Sequence, residues 1–128
     1  MADTGSAPRA LLVVDDDDLV GSAITRIFEP RGWQVRRART GSDAIAQLRA
    51  ADQPLDAALV DLVLPGVSGL DVVRAIRARH PGCRIVGLTG MTEAAMVRAF
   101  TQAGADGFVG KPFELAVLID AVEGPVGA

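Results

Sequence analysis

From residue 10 onward, short apolar runs alternate with segments whose apolar residues recur at helical spacing, and the alternation repeats five times. No other feature limits the fold as strongly. Units of this kind assemble around a parallel sheet, because parallel strands need a long crossover and a helix supplies it. The pattern predicts strands over 10–14, 33–37, 57–60, 84–88 and 107–109. LLVV, AALV and RIVGL are mostly apolar on both faces, as strands covered by helices on both sides should be. WQVRR alternates and carries charge, which suits an edge strand.

The intervening helices are expected over 18–29, 42–50, 69–79, 92–103 and 113–122. Leu19, Ile24, Ile27 and Phe28 form one stripe of the first, which Pro30 and Gly32 then stop. Thr40 with Asp43, and Ser68 with Asp71, stand at capping-box spacing. Met96, Val97 and Phe100 mark the inward face of the fourth helix, and Leu115, Leu118, Ile119 and Val122 that of the fifth. The expectation is therefore an α/β fold: one doubly wound (βα)5 domain over 10–123, a loose lead-in at 1–9 and a tail at 124–128.

Composition removes several function classes. The 128 residues suit one domain. Thirteen basic against sixteen acidic residues leave a net charge of −3, so there is no electrostatic case for direct nucleic-acid binding. The apolar runs are far shorter than the ~20 residues of a membrane span, and no signal-peptide core opens the chain. With Cys83 the only cysteine and His80 the only histidine, disulfides and zinc clusters are excluded, and a cytoplasmic location is expected. Cys83 reads as a small core residue and His80 as a helix-end residue. One further count matters. Of the thirteen bases only Lys111 is a lysine, and an ammonium does not substitute freely for a guanidinium at a tight anion site.

The first strand runs into Asp15, Asp16, Asp17 and Asp18, and the third into Asp61. Ligand sites of open parallel sheets lie beyond the carboxyl ends of the strands, where the strand order reverses. Right-handed crossovers with one reversal of direction would make strands one and three neighbours and bring Asp15, Asp16 and Asp61 into one crevice. Carboxylates ~4 Å apart repel by up to about 4 kcal/mol per pair at an effective dielectric near 20, so a positive charge is required. Oxygen-only ligands favour a hard divalent cation such as Mg²⁺. Asp17 and Asp18 stand where a helix begins and read as caps. The fourth strand ends at Thr89, and Lys111 follows the fifth. A carboxylate, a metal, a hydroxyl and an ammonium together make an inventory for phosphoryl transfer.

The motifs VVDDDD, VDLVLPGVSGLD, LTG and GFVGKPF, in this order, resemble the receiver domains of two-component response regulators over 10–122. The resemblance implies a flavodoxin-like sheet in the order 2-1-3-4-5. It implies that Asp61 accepts a phosphoryl group and that Asp16, Asp61 and the Val63 carbonyl ligate Mg²⁺, with Asp15 joining through water. Thr89 and Lys111 would contact the phosphoryl group, and Thr89 with Phe108 would form a switch. The implied donor is a phosphohistidine of a sensor histidine kinase or a histidine phosphotransfer protein. The implied readout is a changed face around the fourth helix, fifth strand and fifth helix, serving a downstream output protein or domain, or a phosphorylation-dependent homodimer. Such a domain catalyses only its own phosphorylation and dephosphorylation. This chain departs from the family pattern in having apolar Val63 and Met91 beside the path of hydrolytic water, which predicts slow loss of phosphate. Two alternatives are weaker. A haloacid-dehalogenase-like phosphatase would use Asp15 and Asp17, but Leu19 stands where it needs a hydroxyl. A degenerate receiver serving only as a binding module would not need all these residue types.

Overall fold

In a computed structural model, which describes residues 8–50, 53–90 and 94–124, the chain folds as five strands and five helices in strict alternation. The strands are β1 (Arg9–Val14), β2 (Trp33–Ala38), β3 (Ala57–Asp61), β4 (Arg84–Thr89) and β5 (Gly107–Gly110). The helices are α1 (Asp18–Phe28), α2 (Gly41–Ala50), α3 (Gly69–Arg79), α4 (Ala94–Ala103) and α5 (Leu115–Glu123). All strand pairs are parallel and the order is β2-β1-β3-β4-β5, so β1 and β3 flank the point where the winding reverses. The charged WQVRR segment is an edge strand, as its alternation requires.

The period-2 geometry of β1 divides the core into two layers. Leu12 and Val14 face a cluster with Ala44, Leu48, Val72, Val73, Ile76 and Phe100, contributed by α2, α3 and α4. Leu11 and Val13 face Ile24, Phe28, Leu118 and Val122 of α1 and α5. Burying each large aliphatic or aromatic side chain stabilises the fold by roughly 1.5–3 kcal/mol, which is why both layers form around the central strands.

Local signals explain most boundaries. Asp17 caps α1 by accepting from the Leu19 N–H, Asp18 lies in its first turn, and Ser68 caps α3 by accepting from the Asp71 N–H. Thr40 accepts from the Asp43 N–H at 3.0 Å at the start of α2. His80 is the C-cap of α3, and Cys83 is buried. Pro30 lies in a single 3-10 turn after α1, and Gly32 closes it at a φ of 94°, a left-handed conformation that favours glycine.

Two helical positions depart from the sequence reading. Leu19 is 81% exposed and Leu115 is 56% exposed, so neither joins the inward stripe assigned to it. Each stands in the first turn of its helix, and Leu19 lies five positions from Ile24, roughly 140° away around the helix, so Val20 packs on the core in its place. Phe113 and Glu114 precede α5 rather than belonging to it. The start expected at Thr92 for the fourth helix lies outside the described residues, as does Met91. No described helix is long and apolar enough to cross a membrane.

Candidate functional site

Three strand ends converge on one ammonium. Asp15 follows β1, Asp61 is the last residue of β3, and Lys111 follows β5. The Lys111 Nζ lies 2.7 Å from Asp15 Oδ2 and donates to Asp61 Oδ2 at 3.0 Å. The carboxylates are nearly enclosed, with Asp15 4% and Asp61 8% exposed. Taking such charges out of water is costly unless they are paired, and one cation here compensates two anions.

Backbone donors aim both acids. The Asp17 N–H donates to Asp15 Oδ1 at 2.9 Å, and the Val63 N–H donates to Asp61 Oδ1 at 2.9 Å. Each bond turns a strand end into an Asx-type turn, leaving the second oxygen of each carboxylate for the crevice. The Lys111 N–H donates to the Thr89 carbonyl at 2.6 Å, continuing the β4–β5 ladder and fixing where the lysine leaves the sheet. The Lys111–Pro112 peptide bond is cis. Burial disfavours the ammonium charge, but the closely paired carboxylates of Asp15 and Asp61 outweigh it and raise the Lys111 pKa. Lys111 is therefore fully charged across the physiological range.

Asp16, solvent-exposed, completes a group in which one oxygen each of Asp15, Asp16 and Asp61 lies within 4.8 Å of the others. Asp15 Oδ2 is fully buried and makes no aligned hydrogen bond beside its ion pair with Lys111. A partly satisfied buried carboxylate next to two further acids fits a hard cation with oxygen ligands, so the donor set passes the chemical test for Mg²⁺ or a similar ion.

Thr89 is buried at the end of β4, in register with Gly110 and beside Lys111. Phe108, on β5, is half-buried and packs against the layer under α2, α3 and α4. The Val63 side chain is 71% exposed. Asp17 is not in this group, and its Oδ1 accepts from the Leu19 N–H as the α1 cap.

The sequence reading assigned no role to Gly69, yet it shapes the site. A Cβ there would come within 2.5 Å of the Asp61 carbonyl oxygen. Only glycine lets α3 begin this close to the end of β3. Its sole sequence signal was the SG step at the helix start, which reads as capping alone. A cavity of about 580 Å³ lies elsewhere, at the amino ends of β4 and β5 between Arg77, Cys83, Arg84 and Asp106, and none of Asp15, Asp16 and Asp61 lines it. Chemistry, not volume, locates the site.

Comparison with known proteins agrees with this geometry. The model of the response regulator receiver domain matches residues 11–123. The chain is 41% identical over 108 residues to the photosynthetic apparatus regulatory protein RegA of Cereibacter sphaeroides, covering 83% of this chain and 56% of that protein. It is 35% identical over 108 residues to a cyclic di-GMP phosphodiesterase of Thermotoga maritima, covering 84% of this chain and 28% of that protein. The chain thus spans about half of the first relative and about a quarter of the second. Among solved structures, a response regulator of Burkholderia pseudomallei with a phosphorylated aspartic acid, calcium ion and citrate superposes with a TM-score of 0.81 at 28% identity, over 90% of this chain and 66% of that one. Strand order, converging acids and a family match spanning both cores lead to one assignment: the chain belongs to the receiver domains of two-component response regulators.

Proposed function

We propose that Asp61 accepts a phosphoryl group from a phosphohistidine of a sensor kinase or phosphotransfer protein, and that the acyl phosphate alters a protein-contact face of the domain. One observation carries this reading: Lys111 bridges Asp15 and Asp61 from three separate strand ends. An Asp61 oxygen attacks phosphorus in line with the histidine nitrogen. The new O–P bond forms as the P–N bond breaks, and the electron pair leaves on the imidazole, which then takes a proton. The Val63 N–H holds the carboxylate plane during attack. Lys111, already 3.0 Å from Asp61 Oδ2, exchanges that partner for a phosphoryl oxygen while keeping Asp15. The Thr89 hydroxyl then bonds a second phosphoryl oxygen. Asp16, Asp61 and the Val63 carbonyl, with Asp15 through water, would hold Mg²⁺, which would compensate the negative charge shared by carboxylates and phosphate.

The apolar, exposed Val63 offers no hydrogen bond to orient attacking water, which supports a long-lived acyl phosphate. Met91 belongs to the same expectation and lies outside the described residues. Binding partners downstream are an output protein or domain, or a second phosphorylated copy.

Incubation with acetyl phosphate or phosphoramidate in Mg²⁺ tests the assignment. The wild type should incorporate one phosphoryl group and hold it for minutes or longer, and Asp61→Asn should incorporate none while keeping its fold. Labelling of Asp61→Asn would refute the phosphoacceptor assignment, a half-life of seconds would refute the argument from Val63, and steady hydrolysis of a phosphate ester would favour the phosphatase.

A further inference from the structure

Residues 107 and 109 of β5 point to the same face of the sheet. Val109 closes the layer against α1 and α5, whereas Gly107 offers no side chain, and a Cβ built there would meet nothing within 4 Å. Gly107 has no left-handed φ that would require glycine, so the gap is not the by-product of a turn. Ala121, on α5 across the gap, is small as well. The core layer therefore stops short of the amino edge, and the space left beside Val86, the cross-strand partner of Gly107, belongs to the cavity of about 580 Å³. A volume of that order is typical of small-molecule sites.

The wall of the cavity also has a sign. Arg77, Arg84 and Asp106 line it, and Asp106 is answered by Arg77 at 2.9 Å, so one guanidinium remains in excess. Burial pushes the Cys83 thiol up to about 12, so it adds no charge at neutral pH. Arg84 donates through Nη1 to the Ala121 carbonyl at 3.1 Å, near the end of α5. Among the described residues nothing accepts from its Nε or Nη2. Those two donors form an edge of the guanidinium that can grip a carboxylate with two parallel bonds. Val86, Phe108 and Ala121 supply apolar wall beside it.

We propose that this cavity binds a small apolar carboxylate: Arg84 takes the acid through Nε and Nη2, and Val86, Phe108 and Ala121 hold the hydrocarbon body in the space that Gly107 leaves open. The site lies at the opposite end of the sheet from the acid crevice and uses none of Asp15, Asp61 and Lys111, so it holds or fails independently of the phosphoacceptor reading.

Cinnamate, titrated into the isotope-labelled full chain and followed by amide NMR, tests this. Saturable shifts should be confined to Arg84, Val86, Gly107, Ala121 and their sequence neighbours, with a Kd of about 1 mM or tighter. Cinnamamide, of the same shape without the charge, should bind at least about tenfold more weakly. Gly107→Val fills the gap with a side chain that strands favour, and should weaken cinnamate binding at least about tenfold. Arg84→Lys keeps the charge and loses the two-pronged edge, and should weaken it about fivefold or more. No saturable shift of the wild type up to about 10 mM cinnamate, equal binding of cinnamate and cinnamamide, or unchanged binding by folded Gly107→Val overturns the site. Shifts centred on Lys111 instead also overturn it, because the ammonium would then be what holds the acid. Should Gly107→Val fail to fold, Arg84→Lys decides, and binding equal to wild type overturns the proposal.

Discussion

The two ends of this sheet treat charge in opposite ways. At the amino edge Glu123 and Arg77 are each matched by several fixed partners. Glu123, at the end of α5, accepts two hydrogen bonds from Arg31, at 2.6 and 2.9 Å, and one from the Trp33 indole at 2.9 Å, while Arg9 stacks over Trp33 at 4.3 Å. Arg77 donates to the carbonyls of Pro81, Cys83 and Gly104 and to Asp106, whose carboxylate also accepts from the Ile85 N–H. At the carboxyl edge Asp15 and Asp61 share one ammonium with the exposed Asp16 beside them, and Asp15 Oδ2 is buried with only that ion pair. The amino edge uses guanidinium forks to join secondary elements. The carboxyl edge leaves charge under-compensated, which is the condition for binding a cation and a phosphoryl group.

The sharpest test of this division is Lys111→Arg. It preserves charge, but a planar guanidinium does not fit between two buried carboxylates 2.7 and 3.0 Å from one nitrogen. Acetyl-phosphate labelling should slow by roughly tenfold or more, and a beryllofluoride mimic should no longer change hydrogen exchange at β5. A normal response would show that any cation serves there.

Arg77→Ala should act in the opposite sense. Removing its hydrogen bonds should cost about 2–4 kcal/mol and lower Tm by roughly 6–15 °C, with Asp61 labelling unchanged. Labelling that fell as far as in Lys111→Arg would end the separation of the two edges.

A smaller effect concerns acid. The hydrogen bonds from Arg31, opposed by burial and reinforced by Trp33, hold the Glu123 carboxyl down at about 2, below its ordinary 4.5. A depressed value in the folded state means the contribution is present above pH 4.5 and is lost as pH falls through about 2. Wild type should therefore exceed Glu123→Gln in stability at neutral pH, with the gap closing between pH 4.5 and 2. A gap independent of pH would mean that packing, not charge, holds the clasp.

The smallest effect is expected at Leu19. Being 81% exposed, its replacement by Ser should change stability by less than about 0.5 kcal/mol, whereas Ile24→Ala in the same helix should cost about 2–4 kcal/mol. Leu19→Ser equal to Ile24→Ala in denaturant melts would restore the stripe reading.

Leu19 shows how strictly periodicity must be counted. Five positions turn a helix by roughly 140° beyond a full revolution, so Leu19 points away from the face that carries Ile24, and Val20 packs against that core layer instead. Leu115 does share a face with Leu118, but as the first residue of α5 it stays exposed. The site was more legible: Asp15, Asp61, Thr89 and Lys111 each stand at the end of an apolar run, and β-strand ends are written locally as a change from apolar to polar. What that reading assigned to Lys111 was a phosphoryl contact, and the structure adds its pairing with both acids. Gly69 and Gly87 carried no such mark, because their neighbours, the Asp61 carbonyl and the Phe108 ring, are brought to them by other elements.

By itself the sequence determined the alternation of strands and helices, the edge nature of β2, the caps of α1 and α3, and which acids, hydroxyl and lysine end the strands. These depend on residues within a few positions of one another. Only the tertiary structure decided that one ammonium serves two carboxylates, that Asp15 keeps a buried oxygen without an aligned hydrogen bond, that Glu123 and Arg77 clasp the opposite edge, and that a ring occupies the space above Gly87. Each of those needs distances between residues tens of positions apart, and such distances exist only after the crossovers have packed the two layers against the sheet.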